Sequence, residues 1–303
     1  MRVAFDWPRE RLGSAAVTLG SFDGVHLGHQ RLIATLVAQA RANQESAVVI
    51  TFDPHPRCVL DPANCPPQIT SLNEKLGLLA GLGVDESWVL TFTREVAALP
   101  PEDFMARLDA ACELRRLVLG PDFRFGHERR GDAAWLRKRG RQVQVIEGAM
   151  LHGQEIHSSD VRRLVTTGEM AAAARLLGRH FSLVGAVKKG DQIGRRLGYP
   201  TANIEVPAGK LVPGRGIYAG HAIHPTGESL AAISIGYRPT FQGRELRVEA
   251  YLLDFDQDLY GQPLELRFVA RLRDEESFEG EAQLIEAIAN DVAATRQLLG
   301  ASG

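Results

Sequence analysis

The stretch Gly20-Ser21-Phe22-Asp23-Gly24-Val25-His26-Leu27-Gly28-His29-Gln30 decides how the first half of the chain is interpreted. Before it, the apolar run 15–19 is typical of a buried strand that ends at a turn. After it, apolar residues recur at the spacing of a helix, at Leu32, Ile33, Leu36, Val37 and Ala40. The sequence therefore predicts a strand, a glycine-rich loop and a helix in succession.

The two histidines of this stretch lie three residues apart where the predicted helix begins, so they share one face. Backbone N–H groups at the start of a helix, bare glycine backbone and imidazoles together favour a polyphosphate ligand. The stretch has neither the Gly-Lys-Ser/Thr end of a P-loop nor Gly-x-Gly-x-x-Gly spacing. His26-x-Gly28-His29 instead suggests nucleotidyl transfer, with His26 and His29 bracing the attacked α-phosphate. The alternative, one structural and one exposed histidine, is disfavoured by Gly20, Gly24 and Gly28 and by the strand-loop-helix context.

The composition is that of an ordinary globular protein with one large or two ordinary domains. The chain has 303 residues, 45% hydrophobic and 24% charged, with a formal net charge of −2. This balance gives no electrostatic reason to expect nucleic acid or an anionic membrane as a partner. Cys58, Cys65 and Cys112 form no Cys-x-x-Cys pair, which indicates reduced, intracellular cysteines. Without a secretory or membrane-spanning run, we expect a cytoplasmic protein. We also expect a monomer or a weak homo-oligomer.

Strand-like and helical patterns alternate up to about residue 178, which predicts a Rossmann-like parallel sheet with helices on both faces. In this part we expect strands at 47–52, 86–92 and 114–119 and helices at 72–82, 101–112 and 171–177. Ligands collect beyond the carboxyl ends of parallel strands. Gly20, Asp53 and the run 120–122 follow such strands, which makes them candidate site residues.

From Phe181 the helical period mostly disappears, and glycine and proline turns separate short β-type runs. These runs, at 182–187, 216–222, 231–235, 246–253 and 264–270, indicate a small antiparallel β-barrel or a sandwich. A last amphipathic helix would cover it with Leu284, Ile285, Ile288, Val292 and Leu299. We therefore predict two domains, 1–180 and 181–303.

Two further motifs of the first half have both a structural and a functional interpretation. Ser158 and Ser159 either only cap a helix or form a phosphate clamp with Arg162, one turn further on. The run 119–132 contains Phe123 and Phe125, which are either core residues or a stacking wall for a planar ring.

The richest stretch of the second half is 190–203. Its glycines either form hairpin turns only, or place Gly194 and Arg195 against phosphates. Thr201 and Asn203 offer a hydroxyl and an amide oxygen, hard ligands that suit Mg²⁺ bridging phosphates. Strand alternation puts Glu249 on the outer face with Arg247 and Tyr251, so the pattern alone describes a surface acid.

From Gly20 to the last helix, the chain closely resembles the bacterial bifunctional riboflavin kinase/FMN adenylyltransferases, also called prokaryotic FAD synthetases. The motifs that carry the resemblance in the first half are 20–29, Thr51-Phe-Asp-Pro-His-Pro56, Gly120-Pro-Asp-Phe-Arg-Phe-Gly126, and Ser158-Ser159 with Arg162. Those of the second half are Gly194-Arg195, Leu197-Gly198, Pro200-Thr-Ala-Asn203, Gly236 with Arg238-Pro-Thr240, Glu249 and Asp258-Leu-Tyr-Gly261. Two departures, His157 where the family has serine and Ser234 where it has asparagine, keep a polar group, and we expect altered affinity.

The resemblance implies that ATP phosphorylates riboflavin to FMN and then adenylylates FMN to FAD, with Mg²⁺ as cofactor. It implies catalytic roles for His26, His29, Arg162 and Glu249, the last as a general base. It implies ATP or phosphate binding by Gly20, Phe22, Gly28, Ser158, Ser159, Gly194, Arg195 and Gly198. It implies flavin binding by Asp53, Asp122, Phe123, Phe125 and Arg129, and metal binding by Thr201 and Asn203.

Three other functions would each leave part of these motifs without a role. A single-activity adenylyltransferase with a flavin-binding barrel would not need Thr201, Asn203 and Glu249. A flavin-sensing or scaffold protein would not need the histidines. A different nucleotidyltransferase, such as one acting on phosphopantetheine, would leave the second half without a purpose.

Overall fold

Parallel strand pairing organises the residues up to Ser158, and a closed antiparallel barrel organises those from Ser159 onward. The computed structural model describes residues 1–148, 150–151, 154–190, 193–240 and 243–300. Among these residues, no helix is long and apolar enough to span a lipid bilayer.

The first unit is a Rossmann-like sheet with its connecting helices. Its strands are β1 (Arg2–Phe5), β2 (Leu12–Leu19), β3 (Ser46–Asp53), β4 (Glu86–Thr91), β5 (Cys112–Leu119), β6 (Val143–Val145), β7 (Met150–Leu151) and β8 (Gln154–Glu155). Its helices are α1 (Leu27–Ala42), α2 (Pro56–Leu60), α3 (Leu72–Gly81), α4 (Arg94–Ala97), α5 (Pro101–Ala111) and α6 (Ala133–Lys138), with 3₁₀ turns at Pro62–Asn64 and His127–Arg129. The main sheet has the order β1-β4-β3-β2-β5-β6 with all pairs parallel, and β7 pairs with β8 separately.

Successive residues of the central strands pack into different cores on the two faces of this sheet. Val17 of β2 packs in one core with Leu108 of α5, whereas the adjacent Ala16 packs in a second core with Leu36 of α1. All four are fully buried. A buried leucine contributes about 1.5–3 kcal/mol relative to an exposed one. Because both faces are covered, the edge where the strands end at their carboxyl termini is left for ligands.

The second unit is the barrel with its flanking helices. Its strands are β9 (Phe181–Lys188), β10 (Thr201–Ile204), β11 (Gly216–His224), β12 (Gly227–Thr240), β13 (Gly243–Leu252) and β14 (Pro263–Arg273). Its helices are α7 (Ser158–Thr167), which begins at the division, α8 (Met170–Leu177), α9 (Ile193–Arg196) and α10 (Glu281–Gly300). The barrel order is β10-β13-β12-β11-β14-β9, and β9 closes on β10.

The predicted fold class is confirmed: a parallel sheet, then a closed antiparallel barrel and a last helix. The buried side of α10 is less apolar than the sequence pattern of this helix predicts. Ile285 is 37% exposed, and the buried residues of the helix are Asp291 and Thr295. Arg273 of β14 holds Asp291 with two hydrogen bonds of 2.8 Å each, so a bidentate ion pair anchors the helix to the barrel.

The expectation of three reduced cysteines is wrong for two of them. A disulfide joins Cys58 of α2 to Cys65, which follows the 3₁₀ turn at Pro62–Asn64. Cys112 keeps a free thiol at the start of β5, and burial raises its pKa to about 12. Spacing alone could not reveal the pair, because the turn between α2 and Cys65 brings the two residues together.

Candidate active sites

The turn after β2 is fixed by an aromatic ring that lies on bare backbone. The Gly20 N–H donates to the carbonyl oxygen of Ile50 over 3.0 Å. The Phe22 ring then folds back, and a Cβ added at Gly20 would lie 3.0 Å from its Cζ. Phe22 itself takes a left-handed backbone conformation, with φ of 46°. Glycine at position 20 therefore lets the chain leave the sheet sharply and pass beneath the ring.

His26 and His29 lie side by side where α1 begins, as their spacing predicts. Their rings stack with centroids 3.7 Å apart and an angle of 22° between the planes. The Phe22 ring contacts His29 edge-on at 5.3 Å between centroids. The turn that glycine permits thus also supports the second imidazole.

Burial, the neighbouring His26 and the ammonium of Lys75 together hold the pKa of His29 well below its usual value. His29 is therefore neutral at pH 7 and has one N–H to donate. Its Nδ1 is buried and has no hydrogen-bond partner among the described residues. A neutral imidazole in this place can hydrogen-bond a phosphate oxygen, while other groups supply the positive charge.

A cavity of about 990 Å³ opens in front of the histidines, at the top of the usual size range of ligand pockets. It is lined by many of the sequence-predicted site residues of the first unit: Gly20, Phe22, His26, Gly28, His29, Asp122, Phe123, Phe125, Arg129 and Ser158. Arg57, Arg94 and Arg124 also line it, although the sequence did not single them out. The cavity therefore combines imidazoles, cationic side chains and aromatic rings.

One wall of this cavity is aromatic. The Phe123 and Phe125 rings stack 5.6 Å apart, and Trp135 supports Phe125 edge-on at 5.6 Å. Both phenylalanines are half-buried, whereas the neighbouring Asp122 is exposed. Such a wall, apolar on its face and polar at its rim, fits a planar heterocycle.

Some predicted residues are not part of this cavity's lining. Asp53 is exposed at the end of β3 and borders a separate small pocket with Asp23 and Lys75. Ser159 and Arg162 are on α7 in the second unit, so their roles at the cavity stay predictions. His157, a departure from the family pattern, does line the cavity.

The barrel carries a second cluster on its outer face. Glu249 of β13 lies opposite Asn203 of β10 on one side and Ser234 of β12 on the other. The Thr201 hydroxyl donates to Glu249 Oε2 over 3.1 Å, and Arg247 Nη1 lies 3.6 Å from Oε1. The Glu249 side chain is 30% exposed, so its carboxylate is accessible and has a defined orientation.

Gly194 brings the backbone of α9 next to this cluster. A Cβ there would lie 2.3 Å from the Tyr199 carbonyl oxygen and 3.4 Å from Thr201 Oγ1. Only glycine permits this approach, because a methyl group would collide with the main chain. Arg195 and Gly198, on either side of the turn, are exposed.

Thr201 and Asn203 fit a magnesium ion by the chemistry of their donors. Both offer uncharged oxygen atoms beside the Glu249 carboxylate, and Mg²⁺ in such sites takes few protein ligands and several phosphate or water oxygens. The described residues contain no group of three or more His, Cys, Asp or Glu side chains that could hold a metal ion. A metal here would therefore depend on the phosphates of a bound nucleotide.

Lys75 and Asp23 are two further polar residues that sequence reasoning missed as functional candidates. Both are buried, at 7% and 3% exposure, behind the loop that carries the histidines. A signal was present, because Lys75 falls between Leu72 and Leu79 at helical spacing, on the face that should be apolar.

Comparison with known proteins matches both halves of the chain. The family model of FAD synthetase matches residues 9–160 and that of riboflavin kinase matches residues 177–299. Bifunctional riboflavin kinase/FMN adenylyltransferases from Listeria monocytogenes and Escherichia coli are 36% and 33% identical. The first alignment covers 92% of this chain and 91% of the relative, and the second covers 94% and 92%. A crystal structure described as a macrolide-efflux protein from Streptococcus pneumoniae superposes with a TM-score of 0.90 at 29% identity, covering 98% of this chain and 99% of that one.

Gly20→Ala tests the turn directly. The added methyl group would lie 3.0 Å from the Phe22 ring, so we expect the ring that supports His29 to shift, and overpacking of this kind costs about 1–3 kcal/mol. We expect ATP binding at the histidine cavity to weaken by about tenfold or more, measured by isothermal titration calorimetry. Gly13→Ala, where nothing lies within 4 Å of the new methyl group, is the matched control. Equal ATP affinity in both variants would contradict this role of Gly20.

Proposed function

The chain belongs to the family of bifunctional riboflavin kinase/FMN adenylyltransferases, and from this premise we propose how its residues divide the two reactions. The enzyme phosphorylates riboflavin to FMN and adenylylates FMN to FAD, using ATP in both steps. We assign FAD formation to residues 1–180 and FMN formation to residues 181–303. The order of the two family matches along the chain supports this division.

In the adenylyl transfer, the nucleophile is the phosphate of FMN, which is already ionised at neutral pH. No general base is needed. The reacting groups have to be aligned, and the charge that grows on the α-phosphate and the departing pyrophosphate has to be stabilised. We assign this work to His26 and His29, with Arg162 as the proposed clamp. One observation supports this assignment: the two imidazoles stack at the N-terminus of α1, inside a cavity with an aromatic wall.

The aromatic wall then receives the flavin. The isoalloxazine ring is planar, and it would lie against Phe123 or Phe125 while Asp122 and Arg129 contact its polar edge or its phosphate. Gly20, Phe22, Gly28 and Ser158 would surround the ATP phosphates. In this proposed arrangement both substrates would lie in one cavity with their reacting ends toward the histidines.

In the kinase step the nucleophile is a ribityl hydroxyl, which does not ionise near neutral pH. A carboxylate that accepts its proton lowers the barrier, and we assign this role to Glu249. The Thr201 hydroxyl orients that carboxylate through its 3.1 Å hydrogen bond. Mg²⁺, when bound through Thr201 and Asn203, would supply positive charge to the ATP phosphates. Gly194, Arg195 and Gly198 would contact the same phosphates.

The cellular setting stays a prediction. A net charge of −2 supports an enzyme without nucleic-acid or membrane partners. We propose a cytoplasmic monomer or weak homo-oligomer.

His29→Ala should stop FAD formation and let FMN accumulate. Loss of a preorganised donor at a developing charge costs about 10²–10³ in rate. The measurement is chromatography of the flavins formed from riboflavin, ATP and Mg²⁺. His224→Ala is the control, since His224 also packs on an aromatic ring, that of Phe255 at 4.5 Å. Undiminished FAD formation by the His29 variant would rule out its assigned role.

Glu249→Gln should cut FMN formation by roughly 10²-fold or more, as expected for loss of a general base, and spare FAD formation from added FMN. Glu265→Gln is matched in exposure, 28% against 30%, and should keep both activities. Both activities are measured on the same full-length protein. If they fell together in a folded Glu249 variant, the division of labour would be wrong.

A further inference from the structure

Lys75 lies on the buried face of α3, directly behind the loop that carries the histidines. Its side chain reaches the end of β3, where Nζ donates a hydrogen bond of 3.2 Å to Thr51 Oγ1. The Thr51 hydroxyl in turn donates to the carbonyl oxygen of Ser21 over 3.1 Å. A chain of two hydrogen bonds thus links the ammonium group to the backbone between Gly20 and Phe22.

Asp23 fixes the same loop through hydrogen bonds to the segment that precedes α3. Its carboxylate accepts the backbone N–H groups of Ile69 and Thr70 at 3.1 Å each, and the Thr70 hydroxyl at 3.3 Å. Thr70 Oγ1 also accepts the N–H of Gly24 over 3.1 Å. Burial lowers the pKa of Lys75, and the negative charges of Asp23 and Asp53 oppose this effect by favouring the protonated form.

A buried ammonium is costly where an apolar side chain would fill the same space, so its place in an apolar stripe calls for a role for the charge. We propose that Lys75 is a positioning residue for FMN adenylylation: its ammonium holds the 20–29 loop through Thr51 and Ser21 and places a fixed positive charge behind the two imidazoles. This inference rests on the proposed function of the histidine cavity. It goes further by assigning the charge that keeps the histidine donors in place.

The same charge acts on His29. His26 from the loop and Lys75 from α3 are the titratable neighbours that hold the pKa of His29 down, together with burial. Removing the ammonium leaves the negative charges of Asp23 and Asp53 uncompensated. Without Lys75, the protonated imidazole is therefore favoured and the pKa of His29 rises.

The experiment uses full-length Lys75→Met, which keeps an unbranched stem and removes the charge. Lys210→Met is the matched control, because Lys210 is equally buried, at 7% exposure, but belongs to the second unit. FAD formation from FMN and FMN formation from riboflavin are measured separately. NMR titration of the His29 ring, assigned by comparison with His29→Ala, gives its pKa in each protein.

We expect kcat/KM for FAD formation to fall by about 10²-fold in Lys75→Met, mostly in kcat, with FMN formation within about twofold of wild type. We also expect the His29 pKa to rise, and neither change in Lys210→Met. A folded Lys75→Met protein with undiminished FAD formation would overturn the proposal. So would a loss of FAD formation with an unchanged His29 pKa, since that would mean a packing role.

Thr51→Val is the second variant, and it tests the proposed link between Lys75 and the loop even if Lys75→Met does not fold. It removes the hydrogen-bond link to Ser21 at nearly constant volume and leaves the ammonium in place. FAD formation should fall by about tenfold or more, because an unmet buried donor and a loosened loop both cost free energy. Unchanged FAD formation would overturn the proposed link. If wild-type protein forms no FAD, the proposed function fails instead, and the His29 titration still reports whether Lys75 acts on the imidazole.

Discussion

The first active site depends on the contact between the Phe22 ring and the bare backbone of Gly20. This contact lets the chain turn off β2 within one residue, gives His29 an aromatic support, and leaves the start of α1 open. Two covered faces of the sheet force ligands to its carboxyl edge, where this turn lies. A larger residue at position 20 would separate the ring from the backbone that it covers.

In the division of labour that we propose, the two sites differ because their nucleophiles differ. The phosphate of FMN is already ionised, and the histidine cavity offers imidazole and guanidinium donors, with the pKa of His29 held low. A ribityl alcohol has to lose a proton, and the barrel offers a half-buried carboxylate oriented by Thr201. Asp23 and Lys75 are both buried behind the histidine loop, and the role that we propose for Lys75 is to hold this loop rather than to move a proton.

Local periodicity predicted the parts that depend on local structure. The spacing of His26 and His29 predicted their contact, and strand alternation predicted that Glu249 faces outward. What depends on irregular turns or on very short elements was not predictable in the same way. The disulfide of Cys58 with Cys65 needs an irregular turn, and β10 has four residues, too few for a clear period. Hydroxyls at a helix start with an arginine one turn further on predicted a phosphate clamp of Ser159 and Arg162, and their place at the cavity stays a prediction.

We propose that one chain carries two separable ATP-dependent sites. The most direct test mixes His29→Ala with Glu249→Gln in the presence of riboflavin, ATP and Mg²⁺ and follows FAD over time. We expect little FAD from either variant alone and restored FAD formation in the mixture, because FMN released by the His29 variant is adenylylated by the Glu249 variant. If the two folded variants together form no more FAD than each does separately, the two sites are not independent.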